Sequence, residues 1–256
     1  GYPCGFTTAW ESWIHVENLS AWHDQPIGTL SNGFEGLGTE LVFNDTVVVD
    51  HIATMGEWQQ SKIFDSGGRT NHAMPKFYNQ ECAMVTESSA GDAGSSANVT
   101  DFEFGIGMLP YGPDVEDAPQ NSIIGGASLW VLQGHEDEAY QGVAKFFSYL
   151  SSPEVQAWYH QETGYLPITN AAYELSQEQG FYEEFPGADT AIKQITLNPP
   201  TENSKGLRFG NFVQIRDIIA EELERVWAGE ASAKEALDEA VRRGNELLRQ
   251  FEQQQG

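Results

Sequence analysis

Arg216 carries the most directional chemistry in this 256-residue chain. Its guanidinium is a planar fork of N–H donors that stays charged at any working pH and matches two oxygens of one phosphate. It stands in NFVQIRDIIAEELERVW, about a turn and a half into a helix that Asn211 is expected to cap, so a helix N-terminus lies nearby. Pairing with Asp217, or with a glutamate one turn away, is the ordinary fate of such an arginine. Trp10 and Trp13 lie three apart in a polar segment with Glu11, Ser12, His15 and Glu17. They are expected to project from one face of a helix over Trp10–Trp22, either into the core or as a stacking wall for a polyol. Gly126 belongs to a glycine pair, Gly125-Gly126, inside an apolar run. Such a pair lets a ligand approach the backbone N–H, or simply bends the strand. Tyr165, in TGYLPIT, joins an apolar ring to a hydroxyl and packs half-buried by default. Ser88 opens SSAGDAGSS, a small polar run that reads as a mobile loop and that offers a hydroxyl to a ligand oxygen. These six residues come from five separate segments, the pattern of a cleft assembled by a fold.

Enzymatic signatures are missing. The chain has no GxSxG, no HExxH, no phosphate-binding P-loop and no GxGxxG after a strand. Its six histidines lack metal-ligand spacing, so neither a metal nor a cofactor is expected. A glycoside hydrolase would need two carboxylates facing the tryptophans, with Glu11 or Glu17 the obvious candidates. Among 38 acidic residues, however, two lying close together carry little information. The net charge of −25 argues against a nucleic-acid partner and against docking on anionic membranes. Aromatics at 12% argue for a packed core.

The elements that must position these residues read in order as follows. A strand over Gly1–Ala9 leads to the Trp10–Trp22 helix, a glycine-rich loop and a strand at Thr39–Asn44. A helix from Thr46 to about Phe64 and a short one from Asn71 to Tyr78 precede the strand Cys82–Ser88. Phe102–Pro110 alternates as a strand, and NSIIGGASLWVLQG reads as another, broken by its glycines. Ala139, Val143, Phe146, Phe147 and Leu150 recur at helical spacing, and a second helix opened by Ser152-Pro153 ends at Gly164. Asn170 is expected to cap a further helix, another covers roughly Asp189–Leu197, and two amphipathic helices close the chain, one after Asn211 and one over Ala231–Gln250.

The motifs APQNSIIGGASLWVLQG, TGYLPIT and GLRFGNFVQIRDIIAEELERVW occur in one order. From Gly1 to about Gln250 the chain resembles the periplasmic glycerol-3-phosphate-binding proteins of bacterial ABC transporters, in the maltose-binding-like class. The resemblance implies an α/β, two-lobed, venus-flytrap fold, here mainly the C-terminal lobe plus the returning segment of the N-terminal lobe. Residues 1–101 and 162–256 are expected in the C-terminal lobe. Residues 102–161 are expected to form a hinge strand and the returning segment. It further implies that Trp10 and Trp13 line the ligand cleft, that Ser88 and the Gly126 backbone contact ligand, and that Tyr165 and Arg216 hold phosphate. The implied function is capture of sn-glycerol-3-phosphate, or a glycerophosphodiester, and delivery to a membrane permease by a protein monomeric at full length. An oligosaccharide binder of the same fold is the nearest alternative. No membrane-length apolar run and no signal peptide occur in the sequence, which alone suggests the cytoplasm. Given the resemblance, the expectation is a periplasmic or membrane-tethered extracellular protein whose precursor start and first lobe precede Gly1. Cys4 and Cys82, unassigned by spacing, are then expected on neighbouring strands and bridged.

Overall fold

The computed structural model describes residues 1–255. Strand β1 (Cys4–Thr8) pairs in parallel with β2 (Cys82–Thr86), Cys4 opposite Cys82 and Thr8 opposite Thr86. The two cysteines form a disulfide with their Cα atoms 4.6 Å apart. A parallel pair needs a long crossover. Here it runs through the helical stretch after β1, whose centre, Trp13–Asn18, is π-helical and whose end is α1 (Leu19–Trp22). It continues through α2 (Thr29–Gly33), α3 (Val48–Ser61) and α4 (Met74–Tyr78). After β2 come α5 (Gly91–Asn98), α6 (Asp137–Leu150), α7 (Pro153–Thr163), α8 (Asn170–Glu178), α9 (Phe181–Glu184) and α10 (Thr190–Ile195). The long helices α11 (Phe212–Trp227) and α12 (Ala233–Gln255) end the chain. None of the described helices is long and apolar enough to cross a membrane.

The chain divides into two compact units, one of residues 1–87, 109–124 and 194–256, the other of residues 88–108 and 125–193. In the first, α3, α11 and α12 enclose Phe43, Val48, Ile52, Met55, Phe64, Ile215, Ile219, Leu223 and Leu237, all but shut off from solvent. Burial of that much apolar surface is the main force holding this unit together. The second unit is built of short helices around Ala157, His160, Ala172 and Ser176, and α6 buries none of its residues.

Several expected elements are absent. Phe102–Pro110 and the run from Asn121 to Gln133 form no strand, because no strand lies beside them among the described residues. Side chains satisfy part of their backbone instead: Gln194 Oε1 accepts from Leu109 N–H, Trp22 Nε1–H donates to Leu109 O, and Asn18 Oδ1 accepts from Ile123 N–H. Thr39–Asn44 contributes only a single bridge, Gly28 to Leu41, before the 3-10 turn Phe43–Asp45. The small polar run after Ser88 is α5 rather than a mobile loop. Asp92 in its first turn complements the dipole, and Ser95 is buried with its hydroxyl bonded to Gly91 O. Asn211 does not cap α11: its φ is 53°, and its amide donates to Leu247 O in α12. Nor does Asn170 cap α8, whose cap is Thr169, with Oγ1 accepting from Ala172 N–H.

Candidate functional site

Of the six candidate residues, Trp10, Trp13 and Arg216 belong to the first unit and Ser88, Gly126 and Tyr165 to the second.

The chain leaves β1 through Ala9 into Trp10, which is 40% exposed with φ at 48°. Its N–H donates to Thr70 O at 2.7 Å, fixing this turn. Helical structure starts only at Glu11, so Trp10 is not on the helix and does not share a helix face with Trp13. Trp13 opens the π-helical turn, an irregularity frequent at functional sites. Its indole Nε1–H is shut off from solvent and has no partner among the described residues, a donor left over.

The same turn buries His15, Glu17 and Asn18. Glu17 takes Arg216 in a bidentate grip: Nε–H donates to Oε1 at 2.6 Å and Nη2–H to Oε2 at 2.5 Å. The partner of Arg216 is therefore neither Asp217 nor a glutamate one turn away. Glu17 is 1% exposed and Arg216 37%. Burial pushes the Glu17 carboxyl up, against the lowering effect of the Arg216 hydrogen bonds. The Phe212 ring lies 4.7 Å from the guanidinium carbon and supports one face of it. An arginine so held keeps its Nη1 donors and one Nη2 donor unclaimed by Glu17.

Behind this turn lies a buried hydrogen-bond chain. Thr8 O–H donates to Ala9 O, so His15 Nε2 must donate to Thr8 Oγ1. His15 Nδ1 then accepts from His51 Nε2–H at 2.9 Å. Burial holds His15 well below the usual imidazole range and brings His51 down to about 4. Thr86, the last residue of β2, donates to the same Thr8 hydroxyl. The carboxyl ends of both strands are thereby tied together, and the chain runs from them to Trp10 and toward Ser88. In open α/β sheets, ligands gather at that end of the strands.

In the second unit Gly126 stands beside Tyr165, and the Tyr165 turn packs against the residue after Ser88. Gly164 closes α7 with φ at 75°, and a Cβ there would lie 2.4 Å from Ser89 O. Only glycine allows this approach of the Tyr165 turn to the backbone beside Ser88. Gly126, with φ at 96°, stands beside the Tyr165 ring: a Cβ on it would be 3.9 Å from Cε1. Tyr165 is 45% exposed and stacks on Tyr159 at 6.0 Å between centroids. His160 sets the turn, donating from Nδ1 to Tyr165 O at 2.7 Å. That leaves His160 Nε2 to accept from Tyr182 O–H at 3.0 Å.

Glu17, Ser89 and His160 are supports that the candidate set missed. Glu17 is 199 residues from Arg216, and no local spacing marks the pair. His160 did leave a local signal, a histidine in the last helical turn before a glycine stop. Glu11, the other hydrolase candidate, is 3% exposed and bonded to Ser66 Oγ–H at 2.6 Å and Trp227 Nε1–H at 3.0 Å. Both carboxylates are thus committed to neighbours, and nothing in the structure favours the hydrolase. No cluster of metal-ligating side chains occurs among the described residues.

The profile of the bacterial extracellular solute-binding protein family matches residues 5–188. The chain belongs to that family. It is 52% identical to the sn-glycerol-3-phosphate-binding periplasmic protein UgpB of Escherichia coli K12 over 255 residues, 98% of this chain and 57% of that protein. Its identity to UgpB of Yersinia pseudotuberculosis is 50%, over 99% of this chain and 57% of that protein. The chain therefore spans a little over half the length of these relatives. Among solved structures, UgpB from Mycobacterium tuberculosis in complex with glycerophosphocholine superposes with a TM-score of 0.74 at 21% identity, over 98% of this chain and 60% of that one. The maltotriose-bound MalE domain of Bdellovibrio bacteriovorus gives 0.65 at 16%, over 96% and 60%. At these identities the likeness is one of fold, and the fold is that of the two-lobed periplasmic binding proteins, of which this chain represents a part.

Proposed function

We propose that this chain captures sn-glycerol-3-phosphate, or a glycerophosphodiester, for an ABC importer and passes it to the importer's membrane permease. It works in the periplasm, or tethered outside the membrane, as a monomer and without cofactor. The task is binding, with no bond made or broken. Arg216 and Tyr165 hold the phosphate, the Ser88 hydroxyl and Gly126 N–H add hydrogen bonds, and Trp10 and Trp13 cover the glycerol carbons.

The observation that carries this reading is the clamped arginine. Glu17 and Phe212 fix the Arg216 guanidinium in place and leave its outer edge with donors to spare. A preorganised fork of this kind suits a phosphate and is wasted on a neutral sugar. The likeness to the glycerol-3-phosphate-binding relatives supports the same reading.

Calorimetric titration of the full-length protein against sn-glycerol-3-phosphate, glycerol and maltose tests it. The phosphate ester is expected to bind at least 100-fold more tightly than either neutral compound, a gap of about 3 kcal/mol. Equal or tighter binding of maltose would move the assignment to an oligosaccharide binder.

A further inference from the structure

The ion pair at Arg216 is buried on its acid side. Its acid, Glu17, is 1% exposed, whereas its base, Arg216, is 37% exposed. The carboxylate thus sits behind the guanidinium, on the protein side, and takes both of its hydrogen bonds from the Nε–Nη2 edge. A phosphate docking on the remaining donors meets a cation already neutralised by a fixed negative charge. Such a pair still gives directed, charge-assisted hydrogen bonds, but its attraction for each further negative charge is reduced by the carboxylate behind it.

We propose that Glu17 is a specificity-determining residue whose buried charge, held behind Arg216, sets the balance between dianionic phosphomonoesters and monoanionic phosphodiesters. This rests on the reading of Arg216 as the phosphate contact. Repulsion from Glu17 scales with ligand charge, so it weighs about twice as heavily on a dianion as on a monoanion. The geometric service of Glu17, orienting the guanidinium, benefits both ligands alike. Charge and geometry therefore separate in a ratio of affinities, which a purely structural role leaves unmoved.

Two substitutions divide these effects. Glu17→Gln removes the charge and keeps the shape. It should fold, because the arginine left behind is over a third exposed and can be solvated; deleting the arginine instead would strand a buried carboxylate. Glu17→Asp keeps the charge and shortens the reach. The probes are sn-glycerol-3-phosphate and its phosphate methyl ester, titrated calorimetrically into the full-length protein at about pH 8, above the second phosphate pKa of about 6.

Glu17→Gln is expected to raise the monoester-to-diester affinity ratio by about tenfold, the scale of a partly screened unit charge several ångströms away. Glu17→Asp is expected to weaken both esters by a similar factor and leave the ratio where it was. An unchanged ratio in Glu17→Gln, with both esters still bound by the wild type, overturns the inference and spares the phosphate reading. A ratio moved by Glu17→Asp overturns it too, even if Glu17→Gln does not fold. Wild-type protein that binds neither ester overturns the phosphate reading of Arg216, and this inference with it.

Discussion

In the first unit Phe43, Phe64, Ile215, Leu223 and Leu237 are all but shut off from solvent, while in the second Trp130 is 87% exposed, Leu132 73% and Phe146 52%. The contrast is sharpest between two amphipathic helices. Helix α11 sinks Ile215, Ile218, Ile219, Leu223, Val226 and Trp227 against α12 and α3. Helix α6 repeats the same kind of stripe, yet Phe146 and Phe147 border only an open groove of about 310 Å³ beside Leu129–Leu132. A hydrophobic stripe records that a helix is made to be covered, and says nothing of what covers it.

The largest effects should follow that contrast. Leu223→Ala, at a site with no exposure, is expected to cost about 2–5 kcal/mol of stability, as a cavity in a packed core does. Phe146→Ala should cost about 0.5 kcal/mol or less. Comparable losses of melting temperature for the two variants would mean that α6 is covered after all. Next in size is the disulfide. Replacing Cys4 and Cys82 by serine opens a link of sequence separation 78 and should cost about 2–4 kcal/mol, read as a fall in the urea midpoint under non-reducing conditions. Titration of unreduced, unfolded wild type should find no free thiol, and two thiols would refute the bridge.

Acid sensitivity should also be greater in the first unit, where burial lowers His15 and His51 further than it lowers His160 in the second. Burial lowers the folded-state pKa of both His15 and His51, so the unfolded chain binds more protons below about pH 6.5, for His51 down to about pH 4. The stability due to these neutral rings is present above that window and is lost through it. For His51, which keeps some exposure, this amounts to about 2 kcal/mol. Glu11 and Glu17, raised by burial, act with the opposite sign. Comparison of wild type with His51→Gln isolates the histidine contribution: the acid loss should shrink in the variant. An unchanged pH profile would show that His51 does not titrate as its burial implies.

Much of the helical layout was legible because helix signals are local. The periodicities over Val48–Ser61, Phe212–Trp227 and Ala233–Gln255, and the Ser-Pro start and Gly164 stop of α7, each lie within one element. Strands were harder. Asn121–Gln133 and Phe102–Pro110 have strand composition, but a strand exists only with a neighbour, and the neighbour is not written into the segment. The site divides in the same way. Gly164 and Tyr165 can be read from their own turn, whereas the role of Glu17 appears only once the fold brings it to Arg216. The candidate residues themselves came from a family resemblance, since spacing alone left each with an ordinary structural role.

The central claim is that Arg216, clamped by Glu17, is the phosphate-binding group. Isothermal titration of sn-glycerol-3-phosphate into full-length wild type and Arg216→Ala tests it most directly, with folding checked by circular dichroism because the substitution leaves Glu17 buried and unpaired. The account predicts that the folded variant binds at least about 30-fold more weakly, the loss of a charge-assisted bidentate contact worth about 2 kcal/mol or more. A folded Arg216→Ala variant with the wild-type dissociation constant would contradict it.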